Sequence, residues 1–248
     1  MNTNYQIIIL AAGKGTRMES DLPKVLMPLG NSTMIEHLLD NLSLEPKPIV
    51  VVGYESGLVK NTLGEQVNYA YQTEQLGTGH AVMQASHLIS VEAKTVVVLY
   101  GDQPFVDQVM IDKLLENHLA SAGPITMGTI KVEDFDDWRG AFAKYGRITR
   151  DDAGNVTAIV EFKDTTDEQK QITEVNPAYF VFDADWLKNN LKSIDDDNNQ
   201  HEYYLTDLIG IAFSEGYPIK TASINPKKGL GANTKKQLAV LEAILASQ

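Results

Sequence analysis

The chain is 248 residues long, 43% hydrophobic and 22% charged, enough to bury one large α/β core or two small ones. It carries no cysteine, which excludes disulfides, thiolate metal sites and a cysteine nucleophile. A net charge of −12 argues against general affinity for nucleic acid or an anionic membrane, so an anionic substrate must be held by locally gathered cations.

The first residues, Met1-Asn2-Thr3-Asn4, have neither a charged n-region nor an apolar h-region, and no stretch approaches a membrane span. A cytoplasmic protein is expected. The apolar run 7–10 reads as a buried strand that stops at Ala11-Ala12-Gly13 and releases the chain into a polar loop carrying Lys14, Arg17 and Lys24. This loop is not a P-loop, because no Gly-Lys-Ser/Thr follows, nor a dinucleotide fingerprint, because Met18 stands where the third glycine belongs. Its glycines let backbone N–H groups approach an anion, and the three cations supply charge. Ser32 then reads as the cap of a helix with Met34, Ile35, Leu38, Leu39 and Leu42 on one face. Runs 49–52, 67–71 and 95–99 are short buried strands, and Thr78 reads as the cap of a helix bearing Ala81, Val82, Ala85, Leu88 and Ile89.

Strand–helix–strand order predicts a parallel sheet with right-handed crossovers and helices on both faces. In such sheets ligands bind beyond the carboxyl ends of the strands. The opening loop, Leu76-Gly77-Thr78-Gly79 and Tyr100-Gly101-Asp102 all fall at that edge. Gly77-Thr78-Gly79 alone is better explained by a capping turn, and Asp102 suits either an Asp turn or a Mg2+ ligand.

The second half is richer in β-structure. Segments 145–149 and 156–162, separated by Asp151-Asp152-Ala153-Gly154-Asn155, read as a hairpin, and 172–182 as one further extended run. Tyr204, Leu205, Leu208, Ile209, Ala212 and Phe213 form one helical stripe, and Leu238, Leu241, Ile244 and Leu245 another. Residues 195–199 read as a solvated loop. There is no internal repeat and no hexapeptide periodicity. The five histidines lack metal-ligand spacing, and His37, His87 and His118 are expected at the surface or an edge. No Gly-x-Ser-x-Gly elbow supports a serine nucleophile.

Residues Leu10-Ala11-Ala12-Gly13-Lys14-Gly15-Thr16-Arg17-Met18, followed by Leu22-Pro23-Lys24, resemble the signature of the nucleotide-sugar pyrophosphorylases. These are sugar-1-phosphate nucleotidyltransferases of the GT-A-like α/β class. Five later blocks follow in order: 72–81, Tyr145-Gly146-Arg147-Ile148, 159–164, Glu202-Tyr203-Tyr204-Leu205-Thr206-Asp207 and Gly231-Ala232-Asn233. As a set they resemble the uridylyltransferase half of the bacterial bifunctional N-acetylglucosamine-1-phosphate uridylyltransferases/glucosamine-1-phosphate acetyltransferases.

The resemblance implies a Rossmann-like (GT-A-like) α/β fold, with a mixed, mostly parallel sheet, helices on both faces and a β-rich sugar-binding part. It implies a single nucleotidyltransferase domain over 1–248, with a nucleotide-binding part at 1–130, a sugar-phosphate-binding part at 131–228 and a metal-ligand segment and helix at 229–248. The implied reaction transfers uridylyl from UTP to a sugar 1-phosphate, foremost N-acetylglucosamine 1-phosphate, for a cell-wall precursor. Arg17 and Lys24 would be the catalytic cations on the triphosphate. Leu10, Ala11, Ala12, Gly13, Lys24, Gln72, Gly77, Thr78, Tyr100, Gly101 and Asp102 would hold the nucleotide, with Gln72 reading the uracil edge. Gly146, Glu161, Asn176 and Thr206 would line the sugar-phosphate pocket, and Asp102 and Asn233 would carry Mg2+.

Three departures qualify this. The family's left-handed β-helix acetyltransferase domain is not expected, nor is a β-helix-driven trimer. Asn176 is followed by Pro177-Ala178 where the family usually has Thr-Gly, which predicts weaker discrimination against glucose 1-phosphate. Residues 131–144 exceed the family's link and read as a surface insertion rather than a substrate lid. Gly101-Asp102-Gln103-Pro104 also resembles the molybdopterin guanylyl- and cytidylyltransferases, so another acceptor is the alternative, followed by a non-catalytic nucleotide-sugar-binding module.

Overall fold

The computed structural model describes residues 4–247, so Met1-Asn2-Thr3, part of the stretch read above for a signal segment, lies outside the described residues. The first half alternates β1 (Tyr5–Leu10), a two-residue hairpin of β2 (Pro28–Leu29) and β3 (Ser32–Thr33), α1 (Met34–Asp40), β4 (Ile49–Val52), α2 (Ser56–Leu63), β5 (Asn68–Tyr71), α3 (Thr78–Ala85), β6 (Thr95–Tyr100) and α4 (Gln108–Leu119). The second half holds β7 (Ile125–Lys131), β8 (Arg147–Arg150), β9 (Val156–Val160), β10 (Glu174–Val175), β11 (Phe180–Asp183), α5 (Ala184–Asn190), α6 (Asp207–Ser214), β12 (Lys220–Ser223) and α7 (Lys235–Leu245).

Ten of these strands form one mixed sheet in the order β5-β4-β1-β6-β11-β7-β10-β8-β9, with β12 paired to β7. The strands β5, β4, β1 and β6 run parallel, and β11 then enters antiparallel between β6 and β7. Successive side chains point to opposite faces, and both faces are covered, so β4 and residues 7–10 of β1 are apolar at every position. Ile7, Ile9, Val50 and Val52 face one core with α1, α2, α4 and α7; Ile8, Ile49 and Val51 face the other with α3, α5 and α6. The sheet is therefore covered by helices on both faces, the Rossmann-like α/β arrangement.

Several local expectations are corrected. The cap of α1 is Thr33, not Ser32: Thr33 accepts from the Glu36 N–H, and Glu36 accepts from the Thr33 N–H at 2.9 Å, a reciprocal capping box. Thr78 lies inside α3, whose cap is Gly77. The run 172–182 is two strands in different places, because Asn176–Tyr179 leaves the sheet in a turn where Ala178 adopts φ 64°. Tyr204 and Leu205 precede α6 rather than forming part of it. His118 is buried, 8% exposed, with Nδ1 3.2 Å from Thr126 Oγ1, and burial lowers its pKa.

The segment 131–144 is not a surface insertion. Phe142 is fully buried, and Phe135, Trp138 and Ala141 pack on the same core. The reason lies one strand further on. The Arg147 guanidinium is sandwiched 4.7 Å from the Phe135 ring and 5.3 Å from that of Phe162. It donates to the carbonyls of Ala143, Tyr145 and Lys170. A buried cation without a carboxylate partner is held by ring faces and carbonyl dipoles, and that requires the aromatic segment to fold inward.

Candidate active site

The carboxyl ends of β1 and β6 open onto two adjoining cavities. The first, about 230 Å3, is lined by Leu10-Ala11-Ala12-Gly13, Lys24, Val25, Gln72, Gln75, Gly77, Thr78, Ala81, Tyr100, Asp102 and Glu202. The second, about 260 Å3, is lined by Gly146, Glu161, Asn176-Pro177-Ala178, Gln103, Lys144, Tyr145, Gln200, Tyr204, Gly231 and Asn233. Lys24, Thr78, Tyr100, Asp102 and Glu202 border both and form the shared wall.

Local sequence explains how Lys24 reaches that wall. After β1 the chain makes a short turn, Thr16–Met18, pinned by the fully buried Met18. Gly15 sits at φ 69°, and a Cβ there would lie 2.5 Å from Lys24 Cβ, so only glycine lets the lysine stem pass. Pro23 precedes a second turn, Lys24–Leu26, anchored by buried Val25 and Leu26. The Lys24 ammonium then lies 2.6 Å from Asp102 Oδ2 and 3.0 Å from Asn233 Oδ1. Arg17 approaches the same Asn233 oxygen at 3.3 Å from the rim, without lining either cavity. Lys14 instead leans over the Tyr54 ring at 5.0 Å.

The wall opposite Lys24 is made by two distant segments joined edge to edge. Tyr203 N–H donates to Leu76 O at 2.8 Å, Gly79 N–H to Tyr203 O at 2.7 Å, and Leu205 N–H to Thr78 Oγ1 at 3.0 Å. Gly77, at φ 108°, is required here, because a Cβ would stand 2.6 Å from Tyr203 O. Gln72 is 4% exposed and donates from Nε2 to Gly77 O at 2.9 Å, with His80 Nδ1 at 3.1 Å. Its amide nitrogen is therefore engaged by the protein, and the amide is held in a fixed orientation at the cavity.

The far cavity is acidic and partly desolvated. Burial raises the pKa of Glu161, with further upward push from Asp207, Asp164 and Glu202, while the hydrogen bond from Thr206 Oγ1 at 3.2 Å opposes the rise. Thr206 is buried behind Glu161 and orients it rather than bordering the cavity. Burial likewise raises the phenols of Tyr100 and Tyr145, which stay protonated donors. Asn176 Oδ1 accepts from the Ala178 N–H at 2.8 Å, and Asn176 N–H donates to Gly146 O at 2.9 Å, tying the two sides of the cavity together.

Two residues could hold a metal. Asp102 contributes a carboxylate and Asn233 an amide oxygen, and both point at one cationic atom, Lys24 Nζ. Among the described residues no cluster of three or more His, Cys, Asp or Glu is placed to hold a metal. Two hard oxygens that leave the remaining positions to water and phosphate suit Mg2+ rather than a metal caged by protein alone.

Sequence reasoning passed over Gln75, Gln103, Lys144, Tyr145, Gln200, Glu202 and Tyr204 as site residues. Five of these lie within motifs quoted above, so the signal was present; Lys144 and Gln200 carried none. Among the described residues no helix is long and apolar enough to cross a membrane.

Residues 7–195 match the family model of the MobA-like NTP transferase domain. The chain is 44% identical over 241 residues to the bifunctional protein GlmU of Heliobacterium modesticaldum, covering 96% of this chain and 51% of that protein. It is 42% identical over 243 residues to the GlmU of Pseudomonas fluorescens, covering 96% and 51%. The GlmU of Enterococcus faecalis is 40% identical over 245 residues, covering 98% and 52%. The chain thus spans about half the length of these relatives. In fold it is similar to a crystal structure from Bacillus anthracis described as a glucose-1-phosphate thymidylyltransferase in complex with a sucrose, with TM-score 0.73 and 17% identity, covering 97% of this chain and 94% of that one. The chain belongs to the MobA-like NTP transferase family.

Proposed function

We propose that the chain transfers uridylyl from UTP to N-acetylglucosamine 1-phosphate, releasing pyrophosphate and UDP-N-acetylglucosamine. The observation that carries the reading is the pair of adjoining cavities with Lys24 and Asp102 in their common wall. A nucleotide in the first and a sugar phosphate in the second would meet at that wall, where an acceptor phosphate oxygen can attack the α-phosphorus as the bond to pyrophosphate breaks. The attacking phosphate is already an anion near neutral pH, so the site needs alignment and charge neutralisation rather than a general base.

In this reading Gln72, fixed by Gly77 O and His80, presents its amide to the uracil edge, and Leu10-Ala11-Ala12-Gly13 lies against the nucleoside. Lys24 and Arg17 neutralise the triphosphate. Asp102 and Asn233 would hold Mg2+, which supplies Lewis-acid charge stabilisation at the phosphates when bound. Glu161, positioned by Thr206, takes sugar hydroxyls, and Asn176 contacts the N-acetyl group. The nucleotide-side elements at 1–130, the acceptor side at 131–228 and the Asn233 segment act as one unit. The relatives named GlmU support the sugar phosphate as acceptor class.

The Pro177-Ala178 pair adds a methyl group and a stiff residue beside Asn176, so preference over glucose 1-phosphate is expected to be modest. Loss of one satisfied amide contact costs about 1–3 kcal/mol, which limits the lost preference to roughly a hundredfold. A nucleotide panel with N-acetylglucosamine 1-phosphate tests the reading. UTP should exceed GTP and dTTP in kcat/KM, and EDTA should abolish turnover; equal use of the three nucleotides would defeat the uridine assignment.

A further inference from the structure

Gln103 stands immediately after Asp102, 5% exposed, and belongs to neither the nucleotide contacts nor the metal pair. Its side chain nevertheless spans three parts of the acceptor cavity. Nε2 donates to Pro177 O at 2.6 Å, across 74 residues of sequence. Cγ lies beneath Gly231, where an added Cβ would be 3.0 Å away, and the Gly231 N–H donates to the Tyr145 hydroxyl at 3.2 Å. Oε1 is buried with no hydrogen-bond partner among the described residues, while the neighbouring Tyr145 hydroxyl donates to Gly229 O at 3.2 Å.

Gln103 bonds the Pro177 carbonyl, one residue before the position in the turn that needs holding. Ala178 occupies the left-handed region at φ 64°, a conformation that L-residues with a Cβ disfavour. Pro177 has no N–H to give, and besides the Asn176 N–H on Gly146 O, two polar contacts among the described residues hold the Pro177-Ala178 peptide itself on the cavity side. One is Asn176 Oδ1 accepting from Ala178 N–H at 2.8 Å, and the other is Gln103 on Pro177 O. A strained turn persists only where its surroundings over-determine it.

We propose that Gln103 is a positioning residue for the acceptor: it fixes the Asn176-Pro177-Ala178 wall against the Asp102 loop, so that acceptor affinity depends on it and nucleotide affinity does not. This rests on the reading of the second cavity as the sugar-phosphate site.

The test compares the wild-type chain with Gln103→Met, Gln103→Leu and Gln103→Met/Ala178→Gly. Binding of N-acetylglucosamine 1-phosphate is measured by calorimetry, and KM is determined for each substrate. Loss of one neutral hydrogen bond predicts a rise of about tenfold in the acceptor Kd and KM for Gln103→Met, with KM for UTP and kcat within about twofold. Thermal melts should show only the small loss that goes with one neutral hydrogen bond, not unfolding. Glycine at 178 has no strain to escape, so the double variant should recover most of the acceptor affinity. Unchanged acceptor affinity in both single variants overturns the role of Gln103. So does a uniform loss of stability and of both KM values, or failure of glycine to rescue. Absence of any sugar-phosphate binding to the wild-type chain instead overturns the site reading on which the role rests.

Discussion

Replacing Asp102 by asparagine separates the architecture of the site from its charge. The amide keeps the shape of the carboxylate and one oxygen for Lys24 Nζ, now 2.6 Å from Oδ2, and the position is only 6% exposed. What is lost is the ionic part of the contact. Charge-assisted hydrogen bonds are roughly twice as strong as neutral ones, so folding should lose about 1–2 kcal/mol, a fall of about 2–8 °C in Tm for a chain of this size. The chemistry should lose far more. The carboxylate stands in the wall shared by both cavities, and its removal uncouples the cation from crowded phosphates. If charge stabilisation of that kind contributes about 3 kcal/mol, the rate falls by about a hundredfold or more. Pyrophosphate release at saturating UTP, N-acetylglucosamine 1-phosphate and Mg2+, with thermal melts in parallel, reads both quantities. An Asp102→Asn chain that keeps more than a tenth of wild-type kcat would refute the assignment, whatever its stability.

Lys24→Met should lower kcat/KM steeply yet raise affinity for Mn2+ without nucleotide, because the ammonium that spans Asp102 and Asn233 no longer competes with the metal; electron paramagnetic resonance reads this, and unchanged affinity would contradict it. Gly77→Ala should destabilise the chain by about 3 kcal/mol or more in urea melts, since its Cβ would meet Tyr203 O at 2.6 Å on a backbone with φ 108°; a loss below about 1 kcal/mol would contradict the edge-to-edge wall. The carboxyl of Asp207 is pushed up to about 6, by burial first and then by Asp195 and Asp164. A raised carboxyl binds its proton more tightly in the folded state, so stability contributed by this group falls as pH rises from about 4 to about 6 and is flat above. Asp207→Asn should therefore gain Tm over the wild type at pH 8 and show a smaller gain at pH 4; a gain that grows toward acid pH would reverse the sign.

The parts of the fold that sequence made legible are those where local pattern and tertiary environment agree. Strand 49–52 is apolar at every position because each face of the sheet is buried, and the two helical stripes of α1 and α3 match the faces they cover. The cap of α1 is a local signal passed over; the other failures occur where a distant contact overrides local pattern. Ser32 and Thr33 are both acceptable caps, and only the reach of Glu36 decides for Thr33, a capping-box signal readable in the sequence. The run 172–182 looks extended throughout, but Asn176 Oδ1 accepts from the Ala178 N–H within its own turn and Gln103 holds Pro177, so the chain leaves the sheet between two strands. Residues 131–144 look polar enough for a loop, but Arg147 stacks on Phe135, and Trp138 packs edge-on against Phe142 and Phe142 against Tyr145 in the core. For the site, most residues that the resemblance named lie around the two cavities, while Arg17 stays at the rim, Gly101 and Thr206 line neither, and Lys14, read from the loop alone, leans over Tyr54. Gln200 and Lys144 could not be read, since a lone polar residue in a loop acquires meaning only from what the fold brings beside it.

The most direct test of the account is product stoichiometry in one reaction mixture. The chain is incubated with UTP, N-acetylglucosamine 1-phosphate and Mg2+, and pyrophosphate and UDP-N-acetylglucosamine are quantified together by an enzyme-coupled assay and mass spectrometry. The account predicts the two products in equal amounts, neither formed when a substrate is omitted, and both suppressed to background by Asp102→Asn. Pyrophosphate without the UDP-sugar, or clearly faster turnover with a different nucleotide and acceptor, would contradict it.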